Sequence, residues 1–195
     1  ASADEIAVKG REIALANRDA VVTIQLVLKQ KFSFSGSPSQ ENESKVESTG
    51  TVISADGLTV ASLSEIDPTS VIEAMMAGNP QMQGMKMETE IQDAKFLMSD
   101  GSEVPAEIVL RDKELDMAFV RPLKKPETPM AFVSLETPGV PLQLDQVITI
   151  NRLGKVARRA HSISVERIEA IVSKPRTFYI PGDSASNTGL GSPAF

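Results

Sequence analysis

Apolar and polar positions change rhythm twice within the first quarter of the chain. Between residues 3 and 18, isoleucine and alanine recur at mixed helical spacing, which predicts a short amphipathic helix weakened by Gly10. Residues 20–34 are rich in β-branched side chains and partly alternate, so we predict a strand. Residues 35–48 are polar and contain glycine, proline and serine, a composition that predicts a mobile loop.

The next pattern is that of β-hairpins. Residues 49–66 carry apolar β-forming side chains on both sides of Asp56-Gly57, a pair that tolerates positive φ and is typical of a hairpin turn. The same arrangement returns around Asp100-Gly101, and a third turn is predicted around Asp112 to Glu114. These units predict a meander of short antiparallel strands.

A proline-rich segment, residues 121–142, separates this meander from a second group of strands and is interpreted as a connector between two halves. Strand–turn–strand units at short spacing, with almost no helix, predict an all-β protein of the barrel or sandwich class. The strands of the second half are predicted within residues 145–154, 158–173 and 176–182.

Residues 67–90 interrupt the β pattern. Asp67 has the character of an N-cap, Pro68 suits a first helical turn, and helix-forming residues continue to Met76. A Gly-Asn-Pro run then ends the predicted short helix.

Composition restricts the classes of function. The 195 residues carry a formal net charge of -6, one histidine and no cysteine. The acidic balance argues against nucleic acid as a partner, and the lack of cysteine excludes disulfides and thiol chemistry. The cluster of Lys155, Arg158 and Arg159 is interpreted as a solvated part of a strand or loop. No apolar run is long enough for an integral membrane segment, and no export signal is visible.

The order of these units resembles the trypsin-like serine peptidases of the high-temperature-requirement (Deg) type. Four stretches carry the resemblance: "RDAVVTIQ", "STGTVISADGLTVASLSEI", "FLMSDGSEVPAEIVLRDKELDMAFVRP" and "FYIPGDSASNTGLGSPAF". They correspond to the family's first strand, its glycine-rich hairpin before the catalytic His, its segment ending in the catalytic Asp, and its nucleophile loop. Together they touch most of the chain.

The resemblance implies a trypsin-like double six-stranded β-barrel. The N-terminal helix and the first barrel are expected in residues 1–125, with residues 67–90 as a short helical, methionine-rich insertion. The second barrel is expected in residues 126–195. Because the family continues past the nucleophile loop with further strands, we expect the second barrel to be incomplete.

Two of the three positions of the implied catalytic triad are substituted, and the family mechanism needs Ser as nucleophile, His as base and Asp to orient the His. Counting along the family pattern places Ser64 at the His position, and a serine hydroxyl is not a base at neutral pH. Asp116 keeps the Asp position, although a turn or cap role would explain it equally well. The single histidine, His161, matches no catalytic position and is interpreted as a surface or packing residue.

The implied nucleophile loop departs from the family at three places. Gly191 falls at the nucleophile, Leu190 replaces a polar residue, and Pro193 replaces a glycine. Backbone amides at Gly189 and Gly191 would form the remnant of an oxyanion hole. Ser192 lies one residue after the nucleophile position and is the alternative nucleophile in a shifted register.

The implied insertion holds most of the methionines of the chain. A flexible loop or a short helix packed on the barrel explains them, but an adaptable partner surface and a Cu(I) site are alternatives. Neither histidine nor cysteine accompanies them in support of copper, so no metal and no cofactor is assigned. The five methionines are Met75, Met76, Met82, Met85 and Met87.

Three hypotheses of function follow from these residues. The leading one is a catalytically inactive pseudo-peptidase that binds or scaffolds a protein or peptide partner. The alternatives are a weakly active serine hydrolase that uses Ser192, and a ligand or metal binder that uses the methionine-rich insertion. The resemblance also implies a periplasmic or secreted protein. The chain begins at Ala1 rather than at methionine, so we expect that a preceding segment has been removed.

Overall fold

The computed structural model describes residues 3–34, 39–67, 69, 85–182 and 191–195. The chain is mostly β, with one N-terminal helix and a single helical turn after β3 among the described elements. The helices are α1 (Ala3–Asn17) and α2 (Leu63–Ile66); the strands are β1 (Val21–Phe34), β2 (Gln40–Val52), β3 (Thr59–Ser62), β4 (Met85–Leu97), β5 (Glu103–Asp112), β6 (Met117–Pro122), β7 (Gln146–Arg152), β8 (His161–Val172) and β9 (Phe178–Pro181).

The first six strands close into an antiparallel barrel in the order β1-β2-β3-β6-β5-β4. Alternate residues of β1 point inward, where they meet buried apolar side chains from the other strands. This closed barrel confirms the prediction of an all-β barrel fold. Its core consists of Val22, Ile24, Leu26, Leu28, Val52, Ala61, Leu63, Ile66, Ala94, Phe96, Ala106, Ala118 and Val120.

The hairpins predicted from Asp-Gly pairs are present in the barrel. Gly57 (φ 90°) and Gly101 (φ 86°) adopt the left-handed backbone that favours glycine. The first turn joins β2 to β3 and the second joins β4 to β5. Local turn chemistry and alternation therefore suffice to position these strands.

The prediction of a mobile loop over residues 35–48 is wrong for its second part, because β2 begins at Gln40. Here β2, β1 and β4 continue beyond the rest of the barrel as a three-stranded ribbon, and Lys29 forms an ion pair with Glu41 at 2.8 Å. Residues 40–45 of β2 are all polar, so this part of the strand has no apolar face that would predict it. Cross-strand charge pairs replace an apolar face.

The predicted insertion is shorter than residues 67–90, since β4 already begins at Met85. Met85 and Met87 are paired in register with Phe34 and Phe32 of β1, so both belong to the barrel sheet. The other three methionines, Met75, Met76 and Met82, and the helix predicted up to Met76, lie outside the described residues.

A separate three-stranded sheet, in the order β7-β8-β9, packs against the barrel and α1. Val21 of β1, Ala14 of α1 and Ile150 of β7 are buried together between them. Gly10 has a packing role, because a Cβ atom there would lie 3.3 Å from the Ile148 side chain. The division at residues 125 and 126 stays a prediction, although the barrel ends at Pro122 and the second sheet begins at Gln146.

The helices of the described ranges include none that is long and apolar enough to cross a membrane.

A two-pronged ion pair links the barrel to the second sheet. Arg159 donates from Nε and Nη2 to the Glu47 carboxylate at 3.0 and 2.5 Å, and both side chains are partly buried. The Arg159 hydrogen bonds are the main reason that the pKa of Glu47 lies below its ordinary value. Two parallel charge-assisted hydrogen bonds are stronger than an ordinary surface ion pair.

We expect Glu47→Gln to lower the free energy of unfolding by about 1 kcal/mol, because one charge-assisted partner of Arg159 is lost. Glu107→Gln is the matched control, since its Arg121 partner is more exposed, and should cost less than about 0.5 kcal/mol. A carboxyl whose pKa is lower in the folded chain stabilises the fold at pH values above its pKa in the unfolded chain. This stabilisation disappears as the pH falls through the folded pKa. Urea unfolding at neutral and acidic pH measures both effects, and equal losses in the two variants would contradict the assignment.

Candidate functional site

The carboxylate of Asp116 is the centre of a hydrogen-bonded cluster at the end of β3. Its Oδ2 accepts hydrogen bonds from the hydroxyls of Ser62 at 2.7 Å and Ser64 at 2.9 Å. Its Oδ1 accepts one from the backbone N–H of Ser64 at 2.8 Å. The structure thus brings Ser64 and Asp116, 52 residues apart in sequence, into direct contact.

Local sequence explains how these residues reach one place. Ser62 ends β3 and is the N-cap of α2, where its hydroxyl accepts a hydrogen bond from the N–H of Glu65. Residues 62–65 therefore follow the serine-x-x-glutamate spacing of a capping box. Asp116 precedes β6 with φ 53°, a backbone that Asp tolerates better than most residues. The helical turn α2 was not predicted, because these residues were assigned to the end of a hairpin.

The chemistry of this cluster is that of a cap rather than of a proton relay. Asp116 receives three hydrogen bonds from serine groups, and neither hydroxyl can take up a proton at neutral pH. The carboxylate therefore satisfies the start of α2 and fixes the two serines.

Glu65 belongs to the same cluster and was missed from the sequence. The hydroxyl of Ser48 on β2 donates to its Oε2 at 2.5 Å. Burial raises the pKa of the Glu65 carboxyl above its ordinary value, and the nearby charge of Asp116 raises it further, while the Ser48 hydrogen bond opposes both. Only the capping-box spacing could have pointed to Glu65, and that spacing predicts a helix start, not a site.

Gly191 lies against the outside of β2 and β3, next to this cluster. Its carbonyl oxygen accepts a hydrogen bond from the Thr51 hydroxyl at 2.7 Å, and its φ is 82°. A Cβ atom at this position would lie 2.2 Å from the backbone oxygen of Thr49 and 3.4 Å from the Cα of Ala61. In this conformation there is no space for a side chain, so a nucleophile cannot occupy this position.

Ser192 is the only candidate nucleophile of the C-terminal segment that the described residues include. Its Oγ is buried and has no hydrogen-bond partner within the described residues. Immediately after it, Ile150 donates its backbone N–H to the carbonyl of Pro193 at 3.4 Å, and Phe195 exchanges two backbone hydrogen bonds with Ile148. The segment therefore lies antiparallel beside β7, to which it is joined by an isolated β-bridge between Thr149 and Ala194. Gly189 and Leu190 lie outside the described residues.

The single histidine lies away from this cluster, at the junction of the two sheets. His161 pairs in register with Arg152, whose Nε donates to the carbonyl of Val21 in the barrel. The Nε2 atom of His161 is buried with no hydrogen-bond partner among the described residues. Burial, with the Arg152 charge, lowers the pKa of His161 below its ordinary value, while hydrogen bonds with the backbone of Arg18 and Val21 and the charge of Asp19 oppose this.

A lowered histidine pKa makes the fold sensitive to mild acid. Below the unfolded pKa of about 6.5 the unfolded chain takes up a proton that the folded chain resists, so the free energy of unfolding falls as pH falls. We expect His161→Gln to remove this part of the slope between about pH 7 and about pH 5. Urea unfolding of both proteins across this range measures it, and two parallel pH profiles would show that His161 titrates normally.

In the described ranges, no three side chains of His, Asp or Glu come together as metal ligands.

No protein-family model matches this sequence, and a search of curated proteins finds no match. The interpretation of the site therefore depends on its geometry and on the residue pattern of the chain.

Proposed function

We propose that this chain is a catalytically inactive relative of the trypsin-like serine peptidases of the Deg type, acting as a binding or scaffolding protein. The observation that carries the proposal is the contact between Ser64 and Asp116. These are the positions that the family pattern gives to the base and to the residue that orients it. If the chain descends from an active peptidase, the Asp116 carboxylate has kept its hydrogen bonds to position 64 after serine replaced the base there.

The proposal also gives the three-stranded sheet a place in a second barrel. Support comes from the C-terminal segment, which extends along β7 next to the barrel wall at Thr49 and Thr51. The implied nucleophile position, Gly191, thereby lies beside Ala61, one residue before the cluster of serines around Asp116. In a double barrel, the cleft between the barrels would bring the segment around Gly191 and the end of β3 together in the same way.

Loss of catalysis follows from chemistry at each position. A serine in place of the base cannot activate a nucleophile, and Gly191 carries no attacking group. Removing members of a triad costs several orders of magnitude in rate, on the order of 10⁴ or more. What such a protein keeps is a rigid surface, and we propose that it binds a protein or peptide partner in the periplasm or outside the cell.

A casein-cleavage assay tests the proposal at the level of activity. We expect no cleavage above buffer after prolonged incubation, with an active trypsin-like peptidase as the positive control. Measurable cleavage that copurifies with the folded chain and is lost on heating would overturn the assignment as an inactive relative.

A second candidate function is weak hydrolysis by Ser192. The observation that favours it is the buried Ser192 hydroxyl, which has no partner in the described ranges, since an unsatisfied polar group is costly unless it has a role. It predicts slow hydrolysis of an activated ester that Ser192→Ala abolishes and that Ser64→Ala leaves unchanged. If the chain does not hydrolyse the ester, or if Ser192→Ala retains the rate, this candidate is excluded.

A further inference from the structure

The hairpin that joins β7 to β8 has a tip, residues 153–160, that lies beyond the last paired residues of the two strands, Arg152 and His161. All of its side chains are exposed except that of Arg159, which is partly covered. Val156 at its centre is fully exposed, and Leu153 at its base is exposed as well. Val156 is the most exposed of the large apolar side chains in the part of the chain that the structure describes.

Hydrogen bonds within the tip fix its shape. Leu153 donates its backbone N–H to the carbonyl of Ala160 at 2.9 Å, and a short 3₁₀ turn, Lys155–Ala157, forms the apex. Below the apex, Arg152 donates from Nη1 to the carbonyl of Arg159 at 2.8 Å, and Arg159 is bound to Glu47. The backbone of the tip is therefore held in one arrangement, so little backbone entropy is lost when it binds.

The charges of the tip oppose those of the whole protein. The chain carries a net charge of -6, but residues 153–160 contain three cationic side chains and no acidic one. Of these, Arg159 is bound to Glu47, which leaves Lys155 and Arg158 on either side of Val156. Within the described residues, no carboxylate comes within ion-pairing distance of Lys155 or Arg158.

We propose that the tip of the β7–β8 hairpin docks on an anionic lipid surface. Val156 would enter the boundary between headgroups and acyl chains, and Lys155 and Arg158 would remain at the level of the lipid phosphates. An apolar apex between two unpaired cations has the chemistry of interfacial binding segments. The inference goes beyond the proposed function, since it uses no residue of the serine cluster.

The shape of the tip favours a membrane over an acidic protein. A protein interface needs a broad, close-packed apolar centre, whereas this tip is convex and offers only Val156 at its apex. A bilayer deforms around a convex tip and supplies both an apolar layer and a dense array of phosphates. The overall acidity of the chain opposes adsorption, so the binding is expected to be weak and sensitive to salt.

Vesicle cosedimentation tests the proposal on the full chain. We expect binding to phosphatidylcholine vesicles that contain about a third phosphatidylserine, and none to pure phosphatidylcholine vesicles. Reversing both cations with Lys155→Glu and Arg158→Glu should reduce the partition coefficient by roughly 20-fold or more, at about fivefold per cation. Val156→Ser should reduce it by about tenfold, since the inserted apolar group is removed.

Matched variants separate this tip from general charge effects. Lys124→Glu with Lys125→Glu makes the same change in net charge on another exposed loop, and Val140→Ser removes another exposed valine. Both should bind as the unchanged chain does. The proposal is overturned if the chain ignores anionic vesicles, or if tip and control variants lose binding equally. It is also overturned if Val156→Ser binds normally while charge reversal abolishes binding to both vesicles and heparin, which would indicate a site for acidic polymers.

Discussion

Gly191→Ala is expected to lower the free energy of unfolding by about 2–4 kcal/mol. The backbone at this position has φ 82°, which costs an alanine about 1–2 kcal/mol. The added Cβ would also lie 2.2 Å from the carbonyl oxygen of Thr49, and this oxygen belongs to the barrel wall. Neither group can move away easily, so the C-terminal segment would be forced off β2 and β3.

Urea unfolding and hydrogen exchange together measure this effect. Ile148 of β7 and Phe195 bond to each other through their backbone amides. These two amides should lose protection from hydrogen exchange in Gly191→Ala before the barrel amides do. Gly139→Ala is the control, because no atom lies within 4 Å of a Cβ there and its φ is not positive. If the free energies of unfolding of the two alanine variants agree within about 0.5 kcal/mol, Gly191 does not approach the barrel closely.

Asp116→Ala is expected to cost about 2–4 kcal/mol. The variant removes the acceptor of three hydrogen bonds, so the Ser64 N–H loses its partner and the hydroxyls of Ser62 and Ser64 keep only each other and the Glu65 N–H. The positive φ of Asp116 adds to the loss, because alanine adopts this backbone less readily than aspartate. Thermal and urea unfolding give the free-energy change directly.

Asp116→Asn separates the hydrogen bonds from the charge. Asparagine tolerates the same backbone and keeps one acceptor oxygen, so its cost should be about 1 kcal/mol. Since the charge of Asp116 raises the pKa of Glu65, the Glu65 pKa should fall in this variant, and carboxyl chemical shifts across pH measure it. An unchanged Glu65 pKa, or full stability of Asp116→Ala, would contradict the described cluster.

The parts of the fold that could be predicted are those determined by neighbouring residues. Alternation identified β1, and Asp-Gly pairs identified two hairpins of the barrel, because a turn and its flanking strands are local in sequence. The start of β2 at Gln40 could not be predicted in this way. Its polar residues become a strand only by pairing with β1, and that ion-paired ribbon is a tertiary feature.

The candidate site was predictable only in part, for the same reason. Ser64 and Asp116 could be singled out through a resemblance in residue order, but their hydrogen bonds depend on how β3 and β6 pair. The contact between Gly191 and Thr51 joins residues 140 apart, and no local pattern indicates it. Glu65 was missed because its role depends on Ser48 across the barrel rim.

Treatment with a fluorophosphonate probe, followed by intact-mass measurement, tests the central claim most directly. The reagent forms a covalent adduct with a serine only if a base activates that serine. An inactive relative without a base predicts the unmodified mass after long incubation, both for this chain and for its Ser192→Ala variant. An adduct on the unchanged chain that maps to Ser192 and is lost in Ser192→Ala would show an active serine and contradict the proposed function.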